Sequence, residues 1–176
     1  MFKLETARYL LVETPLHVIR QRLERDTFET SVPVGDDTLS VTFPADWPGD
    51  ALVIFPIMAE GLEQAPGSAP PGGTIICRSN RVAVGQIGAK GPPDAAGAVE
   101  IGYGVNPSHQ GQGCATEVVS AFVGWLLEQP EVNRVTAECL VTNAASIRVL
   151  EKTGFLRMGR RHDEEEGGTL VMWERT

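Results

Sequence analysis

A mixed α/β (α+β) fold, with a mostly antiparallel central sheet flanked by helices, follows from three stretches of this 176-residue chain. From Glu100 to Gln129 an apolar alternating run passes through a glycine-rich loop into an amphipathic stretch, the pattern of strand, loop and helix. Upstream, Gly73–Lys90 alternates as a hairpin around Ser79-Asn80. Downstream, Arg134–Thr142 reads as a strand and Asn143–Phe155 as a short helix that leads into a last hairpin. Antiparallel strands feeding a strand-loop-helix-strand-helix unit bury apolar helix faces on a mixed sheet. The length suffices for a single domain over residues 1–176 with its own core, and no internal repeat is evident.

Taken in order, Ala7–Glu13 is rich in β-formers and is expected as the first strand. Thr14-Pro15 then reads as a helix start, with Thr14 as N-cap and Pro15 in the first helical position, and Leu16, Val18, Ile19 and Leu23 face the core. From Thr27 to Asp50 the pattern is weak: Val32, Leu39, Val41 and Phe43 suit extended chain, while Pro33, Pro44 and Pro48 punctuate it. Trp47 is read as a core residue because its ring brings a large buried area, with lining of a substrate site as the other reading. Asp50–Gln64 looks helical, but Pro56 cannot sit inside an unbroken helix, so a short turn ending near Phe55 and a helix restarting at Pro56 are expected. Ala65–Gly73 has the composition of a surface loop, and Gly91–Ala98 joins the hairpin to the strand Val99–Val105. Beyond the glycines, Ala115, Val118, Val119, Phe122, Trp125 and Leu126 recur on one helix face. Phe155–Arg175 closes the chain as a hairpin whose acidic tip, Asp163–Glu166, is read as solvated rather than as a lure for amines.

The net charge of −8 argues against a nucleic-acid partner and fits a cationic or amine-bearing one. No run of about 18 apolar residues and no basic leader is present, so a soluble, cytoplasmic protein with no membrane partner is expected. Cys77, Cys114 and Cys139 are odd in number and lack metal-ligand spacing, which points to neither a disulfide framework nor a metal site. Cys114 sits where a helix N-terminus lowers a thiol pKa, although its plain reading is a small residue in the loop.

The glycine loop carries the chemistry. The first N–H groups of a helix lack internal carbonyl partners and bear the positive end of the peptide dipoles, so an anion is favoured there. Gly111 and Gly113 let the backbone take unusual angles and approach a bulky anion such as phosphate. No Gly-Lys-Ser/Thr follows, and the third glycine and distal acid of a dinucleotide fingerprint are missing. What stands is Gln-x-x-Gly-x-Ala, written Gln110-Gly111-Gln112-Gly113-Cys114-Ala115, between strand and helix. This pattern resembles the pyrophosphate loop of the GNAT superfamily of acetyl-CoA-dependent N-acetyltransferases. Asn143-Ala-Ala-Ser146 followed by a short helix ending in Gly154-Phe155 resembles that family's second block, in the right order and at a plausible separation. The C-terminal hairpin, with its Gly-Phe opening, acidic tip and Trp173, resembles the RimJ/RimL-like branch of ribosomal-protein N-terminal acetyltransferases.

The resemblance implies a GNAT fold in which a splayed pair of strands holds acetyl-CoA, the acetyl donor, and in which Val105, Gln110, Gly111, Gln112, Gly113, Cys114, Ala115 and Asn143 bind it. The Val105 N–H becomes the oxyanion donor, and Asn143 contacts the pantetheine arm or holds the splayed strands. Glu100, on the strand leading into the loop and sharing its parity with Gly102 and Gly104, is the candidate general base, with Glu138 as runner-up and a paired surface carboxylate as the plain alternative. Ser146 matches the serine that approaches the CoA sulfur and can also cap its helix. The tyrosine many family members carry further along that helix is replaced by Val149-Leu150, and Tyr103 has the opposite parity to Glu100. Helices after the first strand border the acceptor groove in this family, which makes Arg20–Phe28 a candidate acceptor wall, a solvated helix face being the alternative.

Three functions are compatible with these residues: direct acetyl transfer to a protein N-terminal α-amine, the same transfer to a small amine such as an amino sugar, polyamine or amino acid, and a non-catalytic acyl-CoA-binding sensor on the same scaffold. Neither a metal nor a covalent acyl-enzyme is called for. Many relatives dimerise, so a homodimer stays open, but no interface is legible.

Overall fold

The computed structural model describes residues 2–164 and 167–176. Two compact units emerge, each made of two chain segments: residues 1–88 with 103–118, and residues 89–102 with 119–176. The strand Ala98–Val105 (β7) and the helix Cys114–Leu127 (α3) pass from one unit into the other.

The first unit starts with two short strands, Lys3–Glu5 (β1) and Tyr9–Val12 (β2), paired antiparallel. The expected first strand is therefore β2, and β1 had no legible signal. The helix Leu16–Glu24 (α1) follows, with Pro15, not Thr14, in the N-cap position and no side-chain cap. Thr14 is drawn elsewhere: its hydroxyl lies 2.9 Å from that of Thr74 and accepts the Gln86 amide at 3.0 Å, a buried polar cluster whose members satisfy one another. Val18 and Ile19 are buried as expected, whereas Leu23 is exposed and Arg22 takes the inward position. The poorly readable Thr27–Asp50 stretch forms the hairpin Phe28–Val34 (β3) and Asp37–Phe43 (β4). A 3-10 turn at Gly49–Ile54 then leads into Phe55–Gln64 (α2), which begins within a residue of the expected restart.

Gly72–Cys77 (β5) and Val82–Ala89 (β6) complete the sheet, with β2, β5 and β6 antiparallel neighbours and β4 touching β6 in parallel. Trp47 is fully buried in the core of this unit, edge-on to Phe43 and Phe55, and its indole N–H donates to the Gly85 carbonyl at 3.1 Å. Burial of such a ring contributes roughly 1.5–3 kcal/mol. Arg22 donates to the Trp47 carbonyl at 2.6 Å and to that of Ala45 at 3.1 Å, so its buried guanidinium fixes the turn that carries Trp47. Gly85 has a specific reason: a Cβ there would lie 2.2 Å from the Gly104 carbonyl, so only glycine lets β6 and the end of β7 come so close.

In the second unit the start of β7 pairs in parallel with Arg134–Leu140 (β8), which pairs antiparallel with Gly168–Arg175 (β10), itself antiparallel to Leu156–Asp163 (β9). The expected last hairpin is thus present, and of its acidic tip Glu165 and Glu166 lie outside the described residues. The parallel register of β7 with β8 runs from Ala98/Arg134 to Glu100/Thr136 and ends there, although β8 continues along β10 to Leu140. Val119, Phe122 and Leu126 of α3 are buried, while Trp125 is partly exposed. Ala144–Lys152 (α4) opens on Asn143, whose side chain accepts the Ser146 N–H at 3.0 Å. Asn143, not Ser146, therefore caps this helix.

Candidate active site

In the first unit, β7 ends at Val105 and the chain turns through a short 3-10 segment, Pro107–His109, into the glycine loop. Asn106 donates its N–H to the Val84 carbonyl at 2.8 Å. N–H groups alternate across a strand, so the Val105 N–H points away from β6. Gln110 returns its side-chain amide to the Val105 carbonyl at 2.9 Å, and Gln112 donates to the Ser108 carbonyl at 3.3 Å. Gly111 and Gly113 have φ of 72° and 77°, in the left-handed region that disfavours side chains, and a Cβ at Gly111 would meet only open space. None of the backbone N–H groups from Gly111 to Thr116 has a hydrogen-bond partner among the described residues; Glu117 N–H is the first to bond, to the Gly113 carbonyl at 3.1 Å. A run of free donors and a helix dipole at an exposed loop can take a diphosphate.

Residues that the sequence did not single out hold this loop. Arg8 donates through Nη1 to the Gln112 carbonyl at 2.9 Å and through Nε to Glu117 at 2.7 Å. The same carboxylate accepts the Arg8 N–H at 2.9 Å and the Thr6 hydroxyl at 2.7 Å. Burial pushes Glu117 up, but these three donors outweigh it and hold the carboxyl below its ordinary range. On the other side Asp46 accepts the Ser108 hydroxyl at 2.8 Å and the Asn106 amide at 3.4 Å. Asn106 is fully buried, and its Oδ1 has no partner among the described residues. No local pattern could have flagged Thr6, Arg8 or Asp46, because each reaches the loop from far away in sequence. Cys114 follows its plain reading: burial pushes its thiol up to about 11, overriding the helix end, so it is a small buried residue rather than an activated thiol.

A cavity of about 620 Å³ also lies in the first unit, lined by Thr14, Leu16, Arg20, Pro33, Leu62 and Glu63 among others. Of the stretch Arg20–Phe28, Arg20 alone reaches it, paired with Glu63 at 2.7 Å. Its walls come mainly from the start of α1 and the end of α2, and the rest of Arg20–Phe28 does not line it.

The second unit holds Glu100, Glu138, Asn143 and Ser146. Glu100 lies where the β7–β8 pairing ends and is ion-paired with Lys90, whose stem passes 3.5 Å from where a Gly102 Cβ would stand. Glu138 is gripped by both arms of Arg161, Nε at 3.0 Å and Nη2 at 2.6 Å, and Arg161 also pairs with Asp163. The Arg161 hydrogen bond holds the Glu138 carboxyl below its ordinary range, the wrong direction for a base at neutral pH. Ser146 is half-buried in the first turn of α4.

Known proteins match this arrangement. A family model described as an acetyltransferase (GNAT) domain matches residues 57–156. The N-acetyltransferase YjdG of Bacillus subtilis is 34% identical over 113 residues, 63% of this chain and 67% of that protein. A ribosomal-protein-serine acetyltransferase of Escherichia coli is 35% identical over 60 residues, 34% of each chain. The solved structure of RimL, a ribosomal L7/L12 α-N-protein acetyltransferase in complex with coenzyme A, superposes with a TM-score of 0.68 over 98% of this chain and 97% of that one; at 15% identity the likeness is one of fold.

Proposed function

Since this chain belongs to the GNAT acetyltransferase family, we propose that it falls in the RimJ/RimL-like branch and moves the acetyl group of acetyl-CoA directly onto a protein N-terminal α-amine, acting as a single catalytic domain. The observation that carries this reading is the run of unpartnered N–H groups from Gly111 to Thr116 at an exposed glycine loop opening a helix, donors suited to the diphosphate of CoA. Gln110, Gln112, Cys114 and Ala115 shape that loop around Gly111 and Gly113, and Asn143 orders the α4 start that carries Ser146.

In the transfer, Glu100 accepts a proton from the acceptor ammonium, directly or through water, so that a neutral nitrogen attacks the acetyl carbon. As the C–N bond forms, the Val105 N–H holds the developing oxyanion. When the C–S bond breaks, the acylated nitrogen gives up its second proton and Ser146 relays a proton to the departing thiolate, taking the nitrogen's in its place, so that the amide and the free CoA thiol result. Glu100 is preferred over Glu138 because Arg161 engages both oxygens of Glu138 and keeps it ionised.

The charge state of the carboxylates also bears on the acceptor. Arg161 holds Glu138 too acidic for a base, and Glu100 is ion-paired with Lys90. Such a site suits an amine that is partly neutral on its own: an α-amine, with a reference pKa near 8, rather than a lysine near 10.4. The cavity of about 620 Å³ then takes the first residues of the acceptor chain. The test is turnover of acetyl-CoA with peptides carrying either a free N-terminus and no lysine, or a blocked N-terminus and a lysine, alongside amino sugars and polyamines. Acetylation of the first peptide class supports the proposal; exclusive use of the small amines replaces the acceptor, and binding without turnover on any amine makes the protein a sensor.

A further inference from the structure

Arg8 sits in the turn between β1 and β2, far in sequence from the glycine loop, yet it makes the only side-chain hydrogen bond to a carbonyl between Gly111 and Gly113 among the described residues. We infer that Arg8 is a positioning residue for the donor site: it fixes the orientation of the Gln112–Gly113 peptide and so aims the Gly113 N–H. This rests on the reading of the loop as a diphosphate site.

The argument starts from peptide geometry. In a planar trans peptide the carbonyl and the following N–H point in opposite directions. Because the Arg8 Nη1 holds the Gln112 carbonyl at 2.9 Å, the Gly113 N–H faces away from the guanidinium. The plane turns through ψ of Gln112 and φ of Gly113, and a glycine at φ 77° has little intrinsic preference for one peptide orientation, so this plane would be free to flip without an external tie. A flip would turn a carbonyl, a negative dipole end, toward an incoming anion.

The tie is itself anchored. Glu117 accepts the Arg8 Nε at 2.7 Å through Oε2, and the Arg8 N–H at 2.9 Å and the Thr6 hydroxyl at 2.7 Å through Oε1. Glu117 lies in the first turn of α3, so the fork of one guanidinium joins the loop to the helix it opens. A fixed fork is what Arg provides and Lys does not: an ammonium carries the charge but cannot hold the carbonyl and the carboxylate in that geometry. The Arg8 side chain is half exposed, so its replacement removes the tie without opening the core.

The experiment compares Arg8→Ala and Arg8→Lys with the unsubstituted protein, using acetyl-CoA and, as a donor without diphosphate, S-acetylpantetheine. Calorimetry is expected to show acetyl-CoA affinity about tenfold weaker in both variants. The rate at saturating acetyl-CoA stays near that of the unsubstituted protein, and kcat/KM for S-acetylpantetheine is unchanged, which a general loss of structure would not produce. Glu117→Gln, which frees the guanidinium while keeping the residue's shape, is expected to shift acetyl-CoA affinity the same way by a smaller factor. Full affinity in Arg8→Lys overturns the positioning role in favour of charge alone. Equal losses on both donors, or affinity within twofold in all three variants, also overturn it. An unsubstituted protein that binds no acetyl-CoA overturns the parent reading as well, a result distinct from silent variants in a protein that binds.

Discussion

The glycine loop of the first unit and the carboxylate cluster of the second are built on opposite principles. In the loop, backbone donors are left without partners while the side chains around them are tied down: Arg8 and Glu117 to each other, Asp46 to Ser108, Gln110 to Val105. In the cluster, each candidate base is already paired: Glu100 with Lys90, and Glu138 with Arg161. Unmet backbone donors held in place describe a binding surface, since they cost nothing further to organise when an anion arrives. Paired carboxylates describe groups that must exchange partners before they act. Under the proposed function, the difference teaches that donor binding is preorganised, whereas proton transfer depends on what the acceptor displaces.

The sharpest break of that comparison is Glu100→Gln. If Glu100 takes the amine's proton, kcat falls about 100- to 1,000-fold while acetyl-CoA affinity stays put. Steady-state turnover and calorimetry on the same preparation check both halves, and an unchanged kcat would hand the base role to water or to Glu138. Next in size is Gly113→Val, which forces a β-branched residue into φ 77° and places its Cβ 3.4 Å from the Arg8 Nη2. Acetyl-CoA affinity is expected to drop about 100-fold with the fold intact, by calorimetry and thermal melting. Retained affinity would mean that the loop is not where the diphosphate sits.

How much of this was legible follows from the same contrast. The glycine loop announced itself because positive φ demands glycine and a helix start demands an amphipathic run after it, both local in sequence. The hairpins Gly73–Lys90 and Phe155–Arg175 were legible for the same reason, through alternation and turn residues. Thr14 misled because its hydroxyl has a better option than a cap, the Thr74 and Gln86 groups on neighbouring strands. The hairpin of β3 and β4 was obscured by Pro33, whose strand lies outside the path of the main sheet and tolerates it. Leu23 and Arg22 exchanged their expected places because the carbonyls of Ala45 and Trp47 satisfy a buried guanidinium. Arg8, Asp46 and Glu117 were invisible: ties between segments dozens of residues apart leave no periodic trace. Glu100 and Glu138 were both named, but only the Arg161 grip separates them.

That grip predicts a smaller effect, on stability. Arg161 holds the Glu138 carboxyl below its ordinary range, so the folded state keeps it ionised where the unfolded chain begins to take up a proton. A depressed carboxylate stabilises at pH above its unfolded value and loses that contribution as pH falls through its folded value. With Arg161 largely exposed, solvent screening keeps the pair's contribution small. Glu138→Gln should therefore melt a few degrees lower than the unsubstituted protein at neutral pH. The gap should close as the buffer is taken down below the ordinary carboxylate range. A gap that persists in acid would assign the effect to packing rather than charge.

The smallest prediction concerns Lys90. Its ammonium holds the position on Glu100 that an acceptor ammonium would occupy, and its stem lies across the open face of Gly102. If the acceptor must displace it, Lys90→Met removes a competitor, and the acceptor KM falls about two- to threefold with little change in kcat, in keeping with the modest strength of an exposed ion pair. The affinity for acetyl-CoA should not move, because the loop's ties lie in the other unit and none of them involves Lys90. If Lys90 instead orients Glu100 for catalysis, the same substitution lowers kcat and leaves KM alone. The two outcomes differ in which constant changes and in its direction, so one pair of saturation curves separates a carboxylate waiting for its substrate from one aligned by its neighbour.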